Sequence, residues 1–246
     1  MENREIWAFF SDFTARGLLL TGPKRNGKTA LIKHFLEMKK EEHPESEGKI
    51  VYIELSQTTS IKNLYQIILK GLDVESNPST TPTGILHDLM VDSIKQKGVK
   101  MLCLDNLNDI LQKEDGKWLK KVRKIFLDLL IVIKIPLILI GTEDTRIFID
   151  KSLESLIKLI ELPKWKNNSE FKNFLRTYER NLPLRIASHL DSDEIANKIF
   201  EIGQGILGNF VEIIKIAGIE AINNGLEQIT LDLLNDLQKK GSFHFI

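Results

Sequence analysis

Gly22-Pro23-Lys24-Arg25-Asn26-Gly27-Lys28-Thr29 matches the spacing G-x-x-x-x-G-K-[ST]. Glycines at both ends of such a loop let the backbone curl until successive N–H groups face one centre, which is a cradle for anions. A lysine and a hydroxyl at the far end complete the chemistry. Lys28 would reach the β- and γ-phosphates of a nucleotide, and the Thr29 hydroxyl would ligate Mg²⁺. The expected nucleotide-binding set is therefore Gly22, Pro23, Lys24, Arg25, Asn26, Gly27, Lys28, Thr29 and Ala30, with ATP and Mg²⁺ as the cofactors. Lys24 and Arg25 are an unusual pair inside such a loop, and they can face phosphate, DNA, a neighbouring subunit or solvent.

A second group lies further along. Met101-Leu102-Cys103-Leu104-Asp105 is an apolar run that stops at a carboxylate, the Walker B pattern that delivers Asp105 to the Mg²⁺ shell beside Thr29. The next position carries Asn106, which can hold a water but cannot accept a proton. Asp109 stands nearby as a possible substitute, and Thr142, followed by Glu143, is placed to sense a γ-phosphate after a later strand. Asp105, Asn106 and Thr142 are thus the expected catalytic residues. Cys103 reads as a small core residue.

The elements that must position these groups follow from the apolar pattern. Strands are expected at 17–21, 49–55, 99–105, 135–140 and 159–162, alternating with helices at 29–40, 61–72, 85–96 and 118–133. The last of these helices should bury Val122, Phe126 and either Leu129 or Leu130. Alternating strands and helices imply parallel βαβ units with both sheet faces covered. After Pro163 no strand pattern appears, and helices are expected at 170–181, 192–202, 209–223 and 230–239. The expected division is an α/β nucleotide-binding core over 1–163 and an all-helical domain over 164–246.

Composition sets the outer limits. The 246 residues hold 34 Lys+Arg against 34 Asp+Glu, which excludes a strongly basic coat but not a local basic patch. One cysteine excludes an internal disulfide, and the 5 histidines show no ligand spacing with it, which argues against structural zinc. The most apolar stretch, Ile125 to Ile140, is broken by Asp128, Lys134 and Pro136 and is too short to span a bilayer. The opening MENREIWAFF is not a signal peptide, so a cytoplasmic protein without membrane association is expected.

With these pieces in order, the chain resembles the TniB/TnsC group of AAA+ ATPases, regulatory subunits of Tn7-like and Tn5053-like DNA transposition systems. The stretches that carry the resemblance are GLLLTGPKRNGKTALIKHF, IPLILIGTEDT, LPKW at 162–165, LPLRIASHL at 182–190 and GQGILGNFVEIIKIAGIEAINNGLEQIT. It implies a P-loop AAA+ core with a parallel five-stranded sheet of order 5-1-4-3-2 and a C-terminal helical lid. It implies ATP bound between subunits, a homo-oligomeric ring or helical filament on duplex DNA, and a bridge from a TniQ-type target selector to the transposase.

Three positions depart from the group's pattern. Asn106 replaces a Walker B glutamate, Leu156 occupies the place of an arginine acting on a neighbour's γ-phosphate, and Asn209 that of a phosphate-sensing arginine. Together they imply weak hydrolysis with binding retained, since an arginine finger alone is worth about 10³–10⁵ in rate. Arg146, Arg176 and Arg180 remain as possible replacements. The resemblance also points to the loop after the second strand, with Ser56, Gln57, Thr58, Thr59 and Lys62, as the DNA contact; by itself that loop reads as a solvated connection. Lys120, Lys121, Arg123 and Lys124 form a denser basic cluster that reads as a solvated helix face. Ile6 and Trp7 would pack near the adenine or close the core.

Overall fold

Strands that are apolar on both sides need cover on both sides, and the central strands of this chain are of that kind. The computed structural model describes residues 17–42, 49–55, 58–77, 79–111 and 116–245. Its strands β1 (Gly17–Thr21), β2 (Lys49–Glu54), β3 (Val99–Asp105), β4 (Leu137–Ile140) and β5 (Ile157–Glu161) form one sheet in the order β2-β3-β4-β1-β5. Every pairing is parallel. This is the order 5-1-4-3-2 read from the opposite edge. β1 and β4 are buried along their whole length, and the edge strand β5 turns Lys158 outward, which discourages pairing with another chain.

Helix α1 (Lys28–Glu42) follows β1 and covers one face of the sheet. Ile32 and Phe35 pack there on Leu18, Leu20, Met101, Cys103, Ile138 and Ile140. Helices α2 (Ile61–Gly71), α3 (Thr83–Gln96) and α4 (Gly116–Leu127) supply the other layer, where Leu64, Ile68, Met90, Val122 and Phe126 meet Leu19, Val51, Ile53, Leu102 and Leu137. Ser60 caps α2 by accepting a hydrogen bond from the Asn63 amide.

Three elements differ from the sequence reading. The expected helix at 118–133 is α-helical only to Leu127 and then widens into a π-turn, Asp128–Val132, in which the Ile133 amide donates to the Asp128 carbonyl at 2.9 Å. The wider turn changes the angular step, so Leu129 and Leu130 are both buried where ordinary periodicity offers one or the other. β4 starts at Leu137, not Ile135, because Pro136 has no N–H for the ladder; its carbonyl still accepts from the Leu102 amide at 3.1 Å. β5 begins two residues before the expected Leu159.

The chain forms two compact units, one of residues up to Gly22 and Lys28–Leu162, the other of Pro23–Gly27 and Pro163 onward. In the second, helices α5 (Ser169–Glu179), α6 (Asp193–Gly203), α7 (Leu207–Asn223) and α8 (Leu231–Lys239) share an aromatic centre. The Phe171 ring lies 4.6 Å from that of Phe210 and 5.4 Å from that of Phe200. Asn168 and Thr230 cap α5 and α8 through their side chains. The Glu179 carboxylate accepts from the amides of Ser188, His189 and Leu190 at 2.6–2.9 Å, which fixes the segment that leads into α6.

Candidate nucleotide site

The end of β1, the start of α1 and the end of β3 bring Gly22, Lys28, Thr29 and Asp105 together, as the sequence reading grouped them. Gly22 has φ 151°, and a Cβ there would lie 2.5 Å from the Leu162 carbonyl oxygen, so no other residue fits. The Lys28 ammonium donates to the Gly22 carbonyl at 2.9 Å. Burial holds the Lys28 pKa below its usual range, and the charges of Asp105 and Glu143 act in the opposite direction.

Asp105 is buried, and three donors converge on it. The Thr29 hydroxyl donates to Oδ2 at 2.6 Å, the Tyr52 hydroxyl donates to the same oxygen at 2.7 Å, and the Asn106 amide donates to Oδ1 at 2.7 Å. A hydroxyl has one proton. Because the Thr29 proton is committed to Asp105, its lone pairs are what remain for a cation. A hydroxyl backed by a carboxylate suits a hard cation such as Mg²⁺. Among the described residues no group of three or more His, Cys, Asp or Glu could hold a metal. Tyr52 was not foreseen from the sequence. Burial, then its bond to Asp105, raises its pKa far above the ordinary tyrosine value, and the Lys33 ammonium sits 5.3 Å from its ring centre.

Asn106 has a left-handed backbone, φ 59°, a conformation that asparagine tolerates better than most residues. Its side-chain amide donates to Glu54 Oε1 at 2.9 Å. Glu54 ends β2, in register with Asp105. Tyr52 and Glu54 share a strand face at positions i and i+2. Asp109 accepts from the Asn108 side chain at 3.0 Å. The side chain of Thr142 does not cap the short 3₁₀ turn Glu143–Phe148, and its carbonyl accepts from the Thr145 hydroxyl at 2.6 Å.

The tip of the loop belongs to the second unit. Asn26, 2% exposed, donates from its side chain to the Pro163 carbonyl at 2.8 Å and accepts from the Leu207 amide at 3.4 Å. Arg25 has φ 63°. Its guanidinium donates to the Gly208 carbonyl at 3.3 Å and pairs with Glu212 at 3.7 Å. The Gly208 amide donates to the Arg25 carbonyl at 2.9 Å, an approach that a Cβ at 208 would block, meeting that oxygen at 2.8 Å. The Arg25 guanidinium and the Asn26 side-chain oxygen thus both bond the first turns of α7. Gly27 has φ 89°, and Lys24 and Ala30 are exposed.

Elsewhere the outcome varies. Thr58 is 4% exposed and its hydroxyl donates to the Leu55 carbonyl at 3.0 Å. Lys62 is half-buried on the first turn of α2, and Ser56, Gln57, Ile6 and Trp7 lie outside the described residues. Leu156 packs on the main core. Asn209 is buried and donates to the Gly203 carbonyl at 3.2 Å. Arg146 pairs with Glu161 and Arg176 with Asp191. In the basic cluster Arg123 is structural, donating to the carbonyls of Phe148 and Ile147, while Lys120, Lys121 and Lys124 are exposed. No described helix is long and apolar enough to cross a membrane.

The profile of the family described as "Bacterial TniB protein" matches residues 11–167, more than half of the chain. The chain belongs to the TniB family. A comparison with curated proteins gave no match. Among solved structures, this TniB protein is similar to the Aeropyrum pernix ORC2 protein in its ADPNP–ADP complexes, with 16% identity, a TM-score of 0.68, and coverage of 90% of this chain and 61% of that one. It is similar to the Aeropyrum pernix ORC1 protein in complex with DNA, with 16% identity, a TM-score of 0.67, and coverage of 92% and 59%. It is also similar to Cdc6p from Pyrobaculum aerophilum, with 18% identity, a TM-score of 0.66, and coverage of 87% and 57%. The TniB chain thus spans about three fifths of the length of these structures. These likenesses establish the AAA+ fold.

Proposed function

We propose that this TniB-family protein binds ATP with Mg²⁺ and assembles on duplex DNA as a ring or helical filament, with slow hydrolysis. In that state it bridges a TniQ-type target selector to the transposase of a DNA transposition system. The observation that carries the reading is the Thr29–Asp105 hydrogen bond of 2.6 Å beside Lys28, in a glycine-bounded loop that opens α1. Backbone amides of the loop and the positive end of α1 would hold the phosphates, and Lys28 would turn from the Gly22 carbonyl to the β- and γ-phosphates. Mg²⁺, when bound, neutralises charge on the β- and γ-phosphate oxygens; Thr29 would hold it, and Asp105 would orient Thr29.

Slow hydrolysis is supported by Leu156 and Asn209, which are apolar or buried where cations would be needed. DNA association is supported by family membership and by the fold shared with an ORC1 protein described in complex with DNA. Gln57 and Lys62 are the proposed DNA contacts, bonding phosphates without reading bases. The test is sedimentation and negative-stain imaging of the purified chain with ATP, Mg²⁺ and duplex DNA. Oligomers that require all three, and that shrink when salt is raised, are expected. A chain that remains monomeric with all three present would overturn the assembly reading.

A further inference from the structure

We propose that Glu54 is the residue that orients the attacking water and takes its proton, supplying from β2 the carboxylate that position 106 lacks. The inference rests on the reading of this chain as an ATP-binding protein. Four side chains form one connected group at the C-terminal ends of β2 and β3. Tyr52 donates to Asp105 at 2.7 Å, the Asn106 backbone amide donates to Asp105 at 2.7 Å, and the Asn106 side chain donates to Glu54 at 2.9 Å. Glu54 and Asp105 are register partners on parallel strands, so their backbones stand one strand spacing apart, about 4.8 Å. Strand alternation places Glu54 on the same face as Ile50 and Tyr52, which is the face that α1 covers and on which Thr29 reaches Asp105.

The other carboxylates nearby are committed differently. Asp105 has both oxygens engaged by donors that arrange Thr29. Glu143 acts as a charge on Lys28, and Asp109 is turned to Asn108. Of the four, Glu54 joins solvent exposure to a fixed bearing, because its Oε1 accepts from the Asn106 side chain. Asn106 is then a positioning residue. Its left-handed backbone is what sends the side chain back across to β2 while the amide keeps hold of Asp105.

In the step so defined, the water oxygen forms a bond to the γ-phosphorus of ATP as its proton passes to Glu54. The bond from that phosphorus to the β,γ-bridging oxygen breaks, and its electron pair leaves with ADP. Glu54 then releases the proton to solvent, leaving ADP and phosphate. No oxidant or further reactant is involved.

The test uses the full chain and two readouts. Phosphate release is measured with ATP, Mg²⁺ and with or without duplex DNA, and equilibrium affinity is measured with a fluorescent ATP analogue. Glu54→Gln keeps the shape and the acceptor for Asn106 but not the proton-accepting oxygen pair. It is expected to lower turnover by about 10²-fold or more while leaving nucleotide affinity within about twofold. Glu54→Asp keeps the acid on a shorter arm and is expected to fall between the two, which also guards against misfolding of a single variant. Asn106→Ala is expected to lower kcat with KM unchanged, an effect that a purely structural role would not separate. Wild-type turnover in Glu54→Gln with nucleotide bound would overturn the proposal. So would a wild-type chain that binds ATP yet releases no phosphate under either condition. Failure of the wild type to bind the analogue would instead overturn the nucleotide reading, and the proposal with it.

Discussion

Replacing Asp105 by asparagine tests the logic of the site at a single atom. The backbone amide of Asn106 is a fixed donor and must keep an oxygen opposite it, so the new amide nitrogen falls where Oδ2 now accepts from Thr29 and Tyr52. Both hydroxyls then have to reverse and accept. Each exchanges a bond to a charged oxygen, net about 1.5–3 kcal/mol, for a neutral one of about 0.5–1.5 kcal/mol. The loss is about 2 kcal/mol for the pair, and relief of a buried charge offsets part of it. For a chain of this size that corresponds to a fall in Tm of about 4–8 °C at most. The functional effect is the more specific one. A reversed Thr29 spends one of its two lone pairs on the new amide, so its freed proton competes with the single remaining lone pair for the side facing the cation. The assay is ATP affinity with Mg²⁺ and with chelator, for wild type and Asp105→Asn. The gain in affinity from Mg²⁺ should shrink about tenfold or more in the variant, or about 1.4 kcal/mol, while affinity without metal changes little. An undiminished Mg²⁺ gain in Asp105→Asn would refute the assignment of Thr29 and Asp105.

Three further outcomes are expected. Burial pushes the Cys103 thiol up to about 12, so the native protein should resist thiol reagents at pH 8 and label only as fast as it opens; rapid labelling of the folded chain would contradict its place in the core. Asn26→Ala leaves the Pro163 carbonyl and the Leu207 amide without their partner, and a thermal melt should show about 1–3 kcal/mol of destabilisation, whereas an unshifted melt would mean water replaces the side chain. Tyr65, raised from 10.0 to about 12 chiefly by burial and then by Asp128 and Asp88, holds its proton more tightly when folded than when unfolded. Its contribution is therefore intact below pH 10 and is lost as pH rises toward 12, and Tyr65→Phe should flatten that part of the denaturation curve; a curve of unchanged slope would show that Tyr65 ionises alike in both states.

The fold was legible where local rules suffice. Leu18-Leu19-Leu20 between glycines and Leu137-Ile138-Leu139-Ile140 before Gly141 leave little choice but buried parallel strands, and the loop spacing announces itself. What stayed hidden depends on neighbours in space. Tyr52 reads as an ordinary strand aromatic until β2 is laid beside β3 and its hydroxyl meets Asp105. Arg25 and Asn26 look like phosphate ligands by position, yet α7, some 180 residues later in the chain, claims them. Thr58 looked exposed because it is polar and in a loop; a carbonyl one turn earlier buries it. The π-turn has no one-dimensional signature, since an extra residue in a helix leaves an apolar run apolar.

That turn bears on how β4 finds its alignment. Leu137 and Leu139 face one layer, Ile138 and Ile140 the other. Sliding the strand by one position would exchange leucines for isoleucines, isomers of equal volume, and the interior would accept either arrangement at small cost. The apolar code of this central strand is thus nearly degenerate with respect to translation. Uniqueness comes from its flanks. At one end Ile133 and Ile135 are tied back to Asp128 and Leu129, and the Pro136 carbonyl is held by Leu102. At the other, Gly141 donates to the Leu20 carbonyl in a space where a methyl group would fall 2.3 Å from Thr145. A single inserted or deleted residue in either flank would threaten the alignment more than rewriting all of β4 in other aliphatic residues.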